Sequence, residues 1–231
     1  MLENFKDRSL ELERLDTGEY TAVEYSRWQR EMWFIHRLFG ELRALKRSLF
    51  REMEANTARS ISVIDVGAGS GELLKQLARW TAGRDVRLIG AELSMDAARS
   101  INRAGLCAVQ CNALRLPFDN DSFDYAFCSL VLHHLDDDSA SSLIKEMSRV
   151  SIGRIFVIDL NRHPIAYYFF KALGRFFLQR FTLEDGALSI LRSRTPGELR
   201  QVASSAGLSD VRIDRSRLNR LILSGLAAKD D

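Results

Sequence analysis

Residues 63–71 read Val63-Ile64-Asp65-Val66-Gly67-Ala68-Gly69-Ser70-Gly71, a β-branched run that closes in three alternating glycines. The apolar run begins at Ile61, and Glu72 to Trp80 behind the glycines carries apolar residues at helical spacing, so the stretch predicts a strand, a tight turn and a helix. Glycine at such a turn permits positive φ and lets a ligand approach backbone N–H groups that a Cβ would screen. The dinucleotide fingerprint has its third glycine three residues after the second. Here it arrives one residue early, and Glu72 holds the expected place. An acid at the start of that helix repels a pyrophosphate, whereas Asp65, two residues before the first glycine, suits a cationic amino group.

Outward from the loop the alternation repeats. Val86 to Leu93 reads as a strand before the helix Met95 to Ala104, and Cys107 to Cys111 as a short strand. Phe123 to Leu132 reads as a strand before a helix at Ser139 to Val150, and Ile152 to Leu160 as another strand. Strands apolar almost throughout, alternating with helices, form a parallel sheet covered on both faces. Val211 to Asp214 and Arg220 to Ser224 have only a few residues between them and pair antiparallel. The expected fold class is α/β: a doubly wound, Rossmann-like, mostly parallel seven-stranded sheet with an antiparallel edge strand and an N-terminal helical cap.

That cap, or lid, comprises residues 1–59. After the capping box Thr21 to Glu24, the residues Tyr25, Trp28, Met32, Ile35, Phe39, Leu42 and Leu45 make one apolar stripe. Residues 60–231 form the ligand-binding domain, with 165–206 a helical insertion or lid. The aromatic stretch after Pro164, with Tyr167, Tyr168, Phe169, Phe170, Phe176, Phe177 and Phe181, reads as a helix. Thr195-Pro196-Gly197-Glu198 opens the next.

The chain has 231 residues with 33 Lys and Arg against 31 Asp and Glu, which excludes a strongly polyanionic or polycationic partner for the whole molecule. Residues 162–220 nevertheless carry 11 basic and 5 acidic side chains, nearly all the basic ones Arg, a surplus that reads as a solvated face or a nucleic-acid patch. Apolar runs fall far short of the roughly 20 residues of a bilayer span, and the charged N-terminus has no signal-like apolar core. The expected location is cytoplasmic. Cys107, Cys111 and Cys128 are odd in number and read as small buried hydrophobes, with no second Cys/His pair at zinc spacing.

Glu92 ends the second strand, where a carboxylate can accept from both ribose hydroxyls. With Asp65 and the glycines it predicts an adenosine derivative without phosphates. On these residues the chain resembles the class I S-adenosylmethionine-dependent methyltransferases. The resemblance implies S-adenosyl-L-methionine as cofactor, with Asp65, Gly67, Ala68, Gly69 and Gly71 at its methionine part, Glu92 on the ribose and Leu93 against adenine. Asn112 and Ala113 fall where the adenine amino group is contacted, Asn112 standing for the usual Asp; Cys128 and Ser129 complete the implied contacts. Leu116-Pro117-Phe118, Ser122-Phe123-Asp124 and Ser129-Leu130-Val131-Leu132-His133-His134 are similar to the small-molecule, type 11-like branch. Ile158 to Pro164 and Arg194 to Leu199 resemble a subset associated with polyketide and phenolic-lipid biosynthesis, within secondary metabolism.

A phenolic acceptor needs a base, and an imidazole can serve. His133 and His134 stand at the ligand edge of the sheet; on an extended segment adjacent residues point apart, so one of the two is expected to act. His163, after the fifth strand, is the alternative, with Asp159 or Arg162 orienting it or binding substrate. No metal is expected. The expected reaction is methyl transfer to a small-molecule acceptor, O-methylation of a phenolic, polyketide or lipid-like compound being favoured. RNA or protein methylation and a non-catalytic cofactor-binding scaffold stand as alternatives. No nucleic-acid partner and no stable membrane insertion are expected, a peripheral membrane contact stays open, and so does the choice of monomer or homodimer.

Overall fold

Along Ser60–Val66 (β1), Ile61 and Val63 turn to one face and Ile64 and Val66 to the other, and all four are buried. A strand apolar on both sides requires a layer on each. The structure, a computed structural model, describes residues 3–216 and 218–227, apart from the side chains of His36 and Arg37; Arg217 of the basic surplus lies outside it. β1 is joined by Asp85–Glu92 (β2), Cys107–Gln110 (β3), Tyr125–Ser129 (β4), Ile155–Leu160 (β5), Leu208–Ser216 (β6) and Arg220–Ala227 (β7). The seven strands lie in the order β3-β2-β1-β4-β5-β7-β6. β1 to β5 pair in parallel, and β7 runs antiparallel to both β5 and β6. This is a doubly wound, Rossmann-like sheet, with its strand order reversing between β1 and β4.

One face is covered by Asp137–Val150 (α7) and Pro196–Ser205 (α10), which bring Leu143, Ile144, Met147, Leu199 and Val202 against Ile64, Ala126, Cys128 and Val157. The other is covered by Glu72–Trp80 (α5), Met95–Arg103 (α6) and a piece of the N-terminal segment. Chain order there runs Arg14–Thr17 (α1), Ala22–Leu38 (α2), Glu41–Leu45 (α3), a π-helical turn Lys46–Phe50 and Arg51–Ala55 (α4). Leu45, Leu49 and Met53 pack with Leu74 and Leu77 on Ile61, Val63, Phe127 and Phe156. The single apolar stripe read from Tyr25 to Leu45 is therefore split. Gly40, at φ +85, turns the chain between α2 and α3, so that residues 41–55 build a core layer while α2 goes elsewhere.

α2 instead packs with Pro164–Gly174 (α8) and Arg180–Arg192 (α9), where Ile35, Tyr167, Phe170, Ala187 and Ile190 form a third apolar cluster over the ligand edge. The aromatic stretch is two helices, not one: α8 ends at Gly174, whose open side Leu178 and Leu183 fill, and the chain turns at 175–179. Two strands are shorter than their apolar runs. β4 stops at Ser129 because Leu130 takes φ +55, and β5 starts at Ile155 after Gly153, where a Cβ would meet the Asp124 carbonyl at 2.5 Å. Among the described residues no helix is long and apolar enough to cross a membrane.

Candidate active site

The C-terminal ends of β1, β2 and β4 open into a cavity of about 1100 Å³ at the strand-order reversal, where doubly wound sheets take their ligands. Asp65, Gly67, Ala68, Gly69, Glu92, Leu93, Asn112, Ala113 and Ser129 line one end. Gly69 has φ +53, and a Cβ there would meet nothing within 4 Å, so space is left above the loop backbone. The Glu92 carboxylate accepts the N–H groups of Gly69 and Ser94 at 2.7 and 2.9 Å, tying the end of β2 to the glycine loop. Asp65 is buried, and burial together with the charges of Glu92 and Glu41 pushes its carboxyl well above the ordinary range. A buried acid with acids for neighbours, facing a cavity, fits a cationic ligand group.

The other end is walled by aromatic and apolar side chains from α2, α8 and α9, among them Tyr25, Trp28, Met32, Phe169, Phe170 and Ile190. Tyr20, Tyr25 and Trp28 stack in succession at 5.2 and 5.6 Å, and Phe181 extends the stack from Tyr20 at 5.4 Å. A polar cluster is set into this wall. His133 and His134 occupy a 3-10 turn, Leu132–His134, held by the guanidinium groups of Arg194 and Arg8 on the carbonyls of Leu132 and Leu135. His133 donates through Nδ1 to Asp159 Oδ1 at 2.7 Å, and Asp159 Oδ2 accepts the His133 backbone N–H at 3.0 Å. Burial pushes the Asp159 carboxyl up, but the charge and hydrogen bond of His133 outweigh it and hold the group below its ordinary range.

The N-terminal segment brings two further acids. Glu13 Oε1 lies 3.9 Å from His133 Nε2, accepts from Ser189 Oγ at 3.0 Å and is 3.6 Å from the Arg192 guanidinium. Burial pushes Glu13 up to about 7 against the pull of His134, Arg192 and Ser189. Asp16 receives His134 Nδ1 at 2.8 Å and pairs with Arg192; despite burial these partners hold its carboxyl far below the usual range. Glu13, His133 and His134 place one ligand atom each within 4.8 Å of one another and could hold a metal ion, but Arg192 already answers the charge of both acids.

A family model described as a methyltransferase domain matches residues 63–151. The demethylmenaquinone methyltransferase of Roseiflexus castenholzii is 27% identical over 169 residues, which cover 64% of this chain and 68% of that relative. The ubiquinone biosynthesis O-methyltransferase of Paraburkholderia phymatum is 31% identical over 158 residues, 63% of each. Among solved structures, the magnesium protoporphyrin IX methyltransferase of Synechocystis PCC 6803 with bound S-adenosylhomocysteine has a TM-score of 0.65 over 93% of this chain and 99% of that one, at 14% identity. Residues 63–151 are thus a methyltransferase domain, and the chain shares the fold of S-adenosylmethionine-dependent methyltransferases.

In the Synechocystis enzyme this fold holds S-adenosylhomocysteine. Of the residues expected at the cofactor, nine line the cavity and two do not. Gly71 sits behind the loop at the start of α5, where a Cβ would meet Ile101 Cγ1 at 2.7 Å, so it serves close packing on α6. Cys128 is fully buried on the α7 side of the sheet. His133, His134 and His163 all line the cavity. The expectation that adjacent histidines point apart assumed an extended segment; in the 3-10 turn their rings lie 4.2 Å apart. Asp159 braces His133, not His163, which lies exposed at the N-cap of α8. Arg162 holds the N-terminal segment, donating to the carbonyls of Phe5, Lys6 and Ser193.

The basic surplus is divided: Lys171, Arg175, Arg180, Arg200, Arg212 and Arg215 are exposed, while four arginines are buried. Arg162, Arg192, Arg194 and Arg220 are each at most 4% exposed, and all four bind acids or carbonyls inside the fold. Glu13, Asp16, Ser189 and Arg192 escape a reading of the sequence. Their partners lie up to 176 residues away, and nothing local marks two acids in an alternately charged segment.

Proposed function

We propose that the methyltransferase O-methylates a phenolic or quinol-type ring carrying an apolar substituent, with His133 as base. The observation that carries this reading is the buried His133–Asp159 pair, set into an aromatic wall beside the glycine loop. The names of the relatives support the acceptor class: one acts on demethylmenaquinone, and the other is an O-methyltransferase of ubiquinone biosynthesis.

In this reading Asp65 and the backbone of Gly67, Ala68 and Gly69 hold the methionine part of the cofactor, Glu92 its ribose, and Leu93, Asn112 and Ala113 its adenine. S-adenosylmethionine supplies a methyl group on a sulfonium, already activated for displacement. The protein must then align an oxygen nucleophile and exclude water. With Nδ1 committed to Asp159, His133 takes the hydroxyl proton at Nε2 and Asp159 stabilises the resulting imidazolium. The N-terminal segment through α2, together with α8 and α9, is the lid that shapes the acceptor space. The stacked rings of Tyr20, Tyr25 and Trp28 give a planar acceptor a parallel surface.

The test is a methyl-transfer screen with labelled cofactor over phenols and quinols with and without alkyl tails. Label on the oxygen of tailed rings is expected. Label appearing only on carbon or nitrogen acceptors overturns the reading.

A further inference from the structure

α8 carries apolar side chains on both its inner and its outer face. Tyr167 and Phe170 turn inward, while Ile165, Tyr168, Phe169 and, just beyond its end, Phe176 turn outward at 74%, 45%, 55% and 77% exposure. Their offsets of three, four and eleven residues from Ile165 keep them on one side of the helix. Phe177 is exposed beside them, and α2, which meets α8 through Phe39 and Phe170 at 5.9 Å, exposes Trp33 and Phe34. Trp33, Ile165 and Phe169 also line the acceptor cavity. The exposed aromatic surface is thus continuous with the wall of that cavity.

An apolar surface of this kind marks a protein or membrane contact, and two features separate the cases. From residue 160 to residue 183 there is no acidic side chain, and Lys171 and Arg175 flank the aromatics, Arg180 beside them being paired with Glu184; apolar insertion beside basic charge is the pairing that binds an anionic lipid surface. A protein seated on the patch would cover this side of the cavity, whereas a bilayer would deliver an apolar acceptor to it. We propose that the outer face of α8, with Phe176 and Phe177, docks the methyltransferase reversibly on an anionic bilayer and opens its acceptor cavity toward the lipid. The proposal deepens the apolar-acceptor reading and rests on it, but vesicle binding is measured without any acceptor, so the two can fail separately.

The experiment is flotation with phosphatidylcholine vesicles containing about a third phosphatidylglycerol, comparing the wild type with a Phe176→Ser, Phe177→Ser double variant and with Arg175→Glu. These residues do not line the cavity, so S-adenosylhomocysteine affinity by calorimetry is expected to stay unchanged and shows that the variants are folded. The wild type is expected to float with the vesicles at low salt, the double variant to bind at least roughly tenfold more weakly, and Arg175→Glu to lose part of the salt-sensitive attraction. The proposal is overturned by a wild type that ignores the vesicles or by a double variant that binds as well. It is equally overturned by a wild-type dimer that the double variant abolishes, which would make the patch a self-interface.

Discussion

His133 and Asp159 are joined twice, once through the imidazole Nδ1 at 2.7 Å and once through the His133 backbone N–H at 3.0 Å, so ring position and tautomer are fixed by one buried carboxylate. A base held this way differs from His134, whose partner Asp16 is shared with Arg192. Replacing His133 by Ala is expected to lower kcat by about 10²- to 10⁴-fold, the usual worth of a positioned base, and His134→Ala by about tenfold or less. Asp159→Asn should fall between them. Initial rates at saturating cofactor, with S-adenosylhomocysteine affinity as the control, check the order; a fully active His133→Ala removes the base assignment.

Glu13 gives the molecule a pH dependence near neutrality. Its carboxyl is raised from 4.5 to about 7 in the folded state, chiefly by burial. The folded protein therefore holds this proton more tightly than the unfolded chain does. The stabilisation is complete below about pH 4.5 and is lost as the pH rises through about 7. Glu13→Gln cannot ionise, so it should gain on the wild type across that window, by an amount on the order of 3 kcal/mol. Urea unfolding of both proteins at about pH 5 and pH 8 reads the difference; a constant gap would show that Glu13 stays ionised throughout.

What could be read from the sequence is what is local in it. The strand, glycine turn and helix of residues 61–80, and the capping boxes at Thr21 and Thr195, are each specified within a few residues and stand as expected. Nine of the residues singled out around the glycine loop come together along one end of the cavity. The 3-10 turn of His133 is not local: it is held by Arg8 and Arg194 from opposite ends of the chain. The split of the N-terminal stripe at Gly40 escapes for a related reason, since periodicity shows which residues are apolar but not which of two surfaces they cover. The acids of the N-terminal segment and the arginines after residue 161 cancel in the net charge, and only the fold shows that Glu13, Asp16 and Glu41 meet Arg192 and Arg220.

Asp65 sets stability against binding. Its raised carboxyl favours the neutral form, and the stability this gives the ligand-free protein declines as the pH climbs above the ordinary carboxylate range. A cationic ligand group reverses the preference, so cofactor binding should release protons and strengthen with rising pH. Calorimetry in two buffers of different ionisation enthalpy is expected to give different heats; identical heats would show that Asp65 is already ionised. Asp65→Asn should melt higher than the wild type without ligand at neutral pH, yet bind S-adenosylhomocysteine roughly 10- to 100-fold more weakly.

Glu41 and Arg220 form an ion pair that is almost wholly out of solvent, at 0% and 3% exposure, and the second Glu41 oxygen accepts from Ser129 at the end of β4. The pair joins α3 to β7 beneath the cavity. Removing one partner leaves a buried charge unanswered, so Arg220→Ala should cost about 3–5 kcal/mol, more than a surface arginine would. Replacing both by Met removes the charges together and should recover most of that loss, because an apolar pair of similar volume carries no desolvation penalty. Chemical unfolding of the two single variants and the double variant gives the coupling directly. Ser129 loses a partner in the double variant as well, so weakened cofactor affinity with restored stability is the expected pattern, and restored affinity would separate Ser129 from the cofactor.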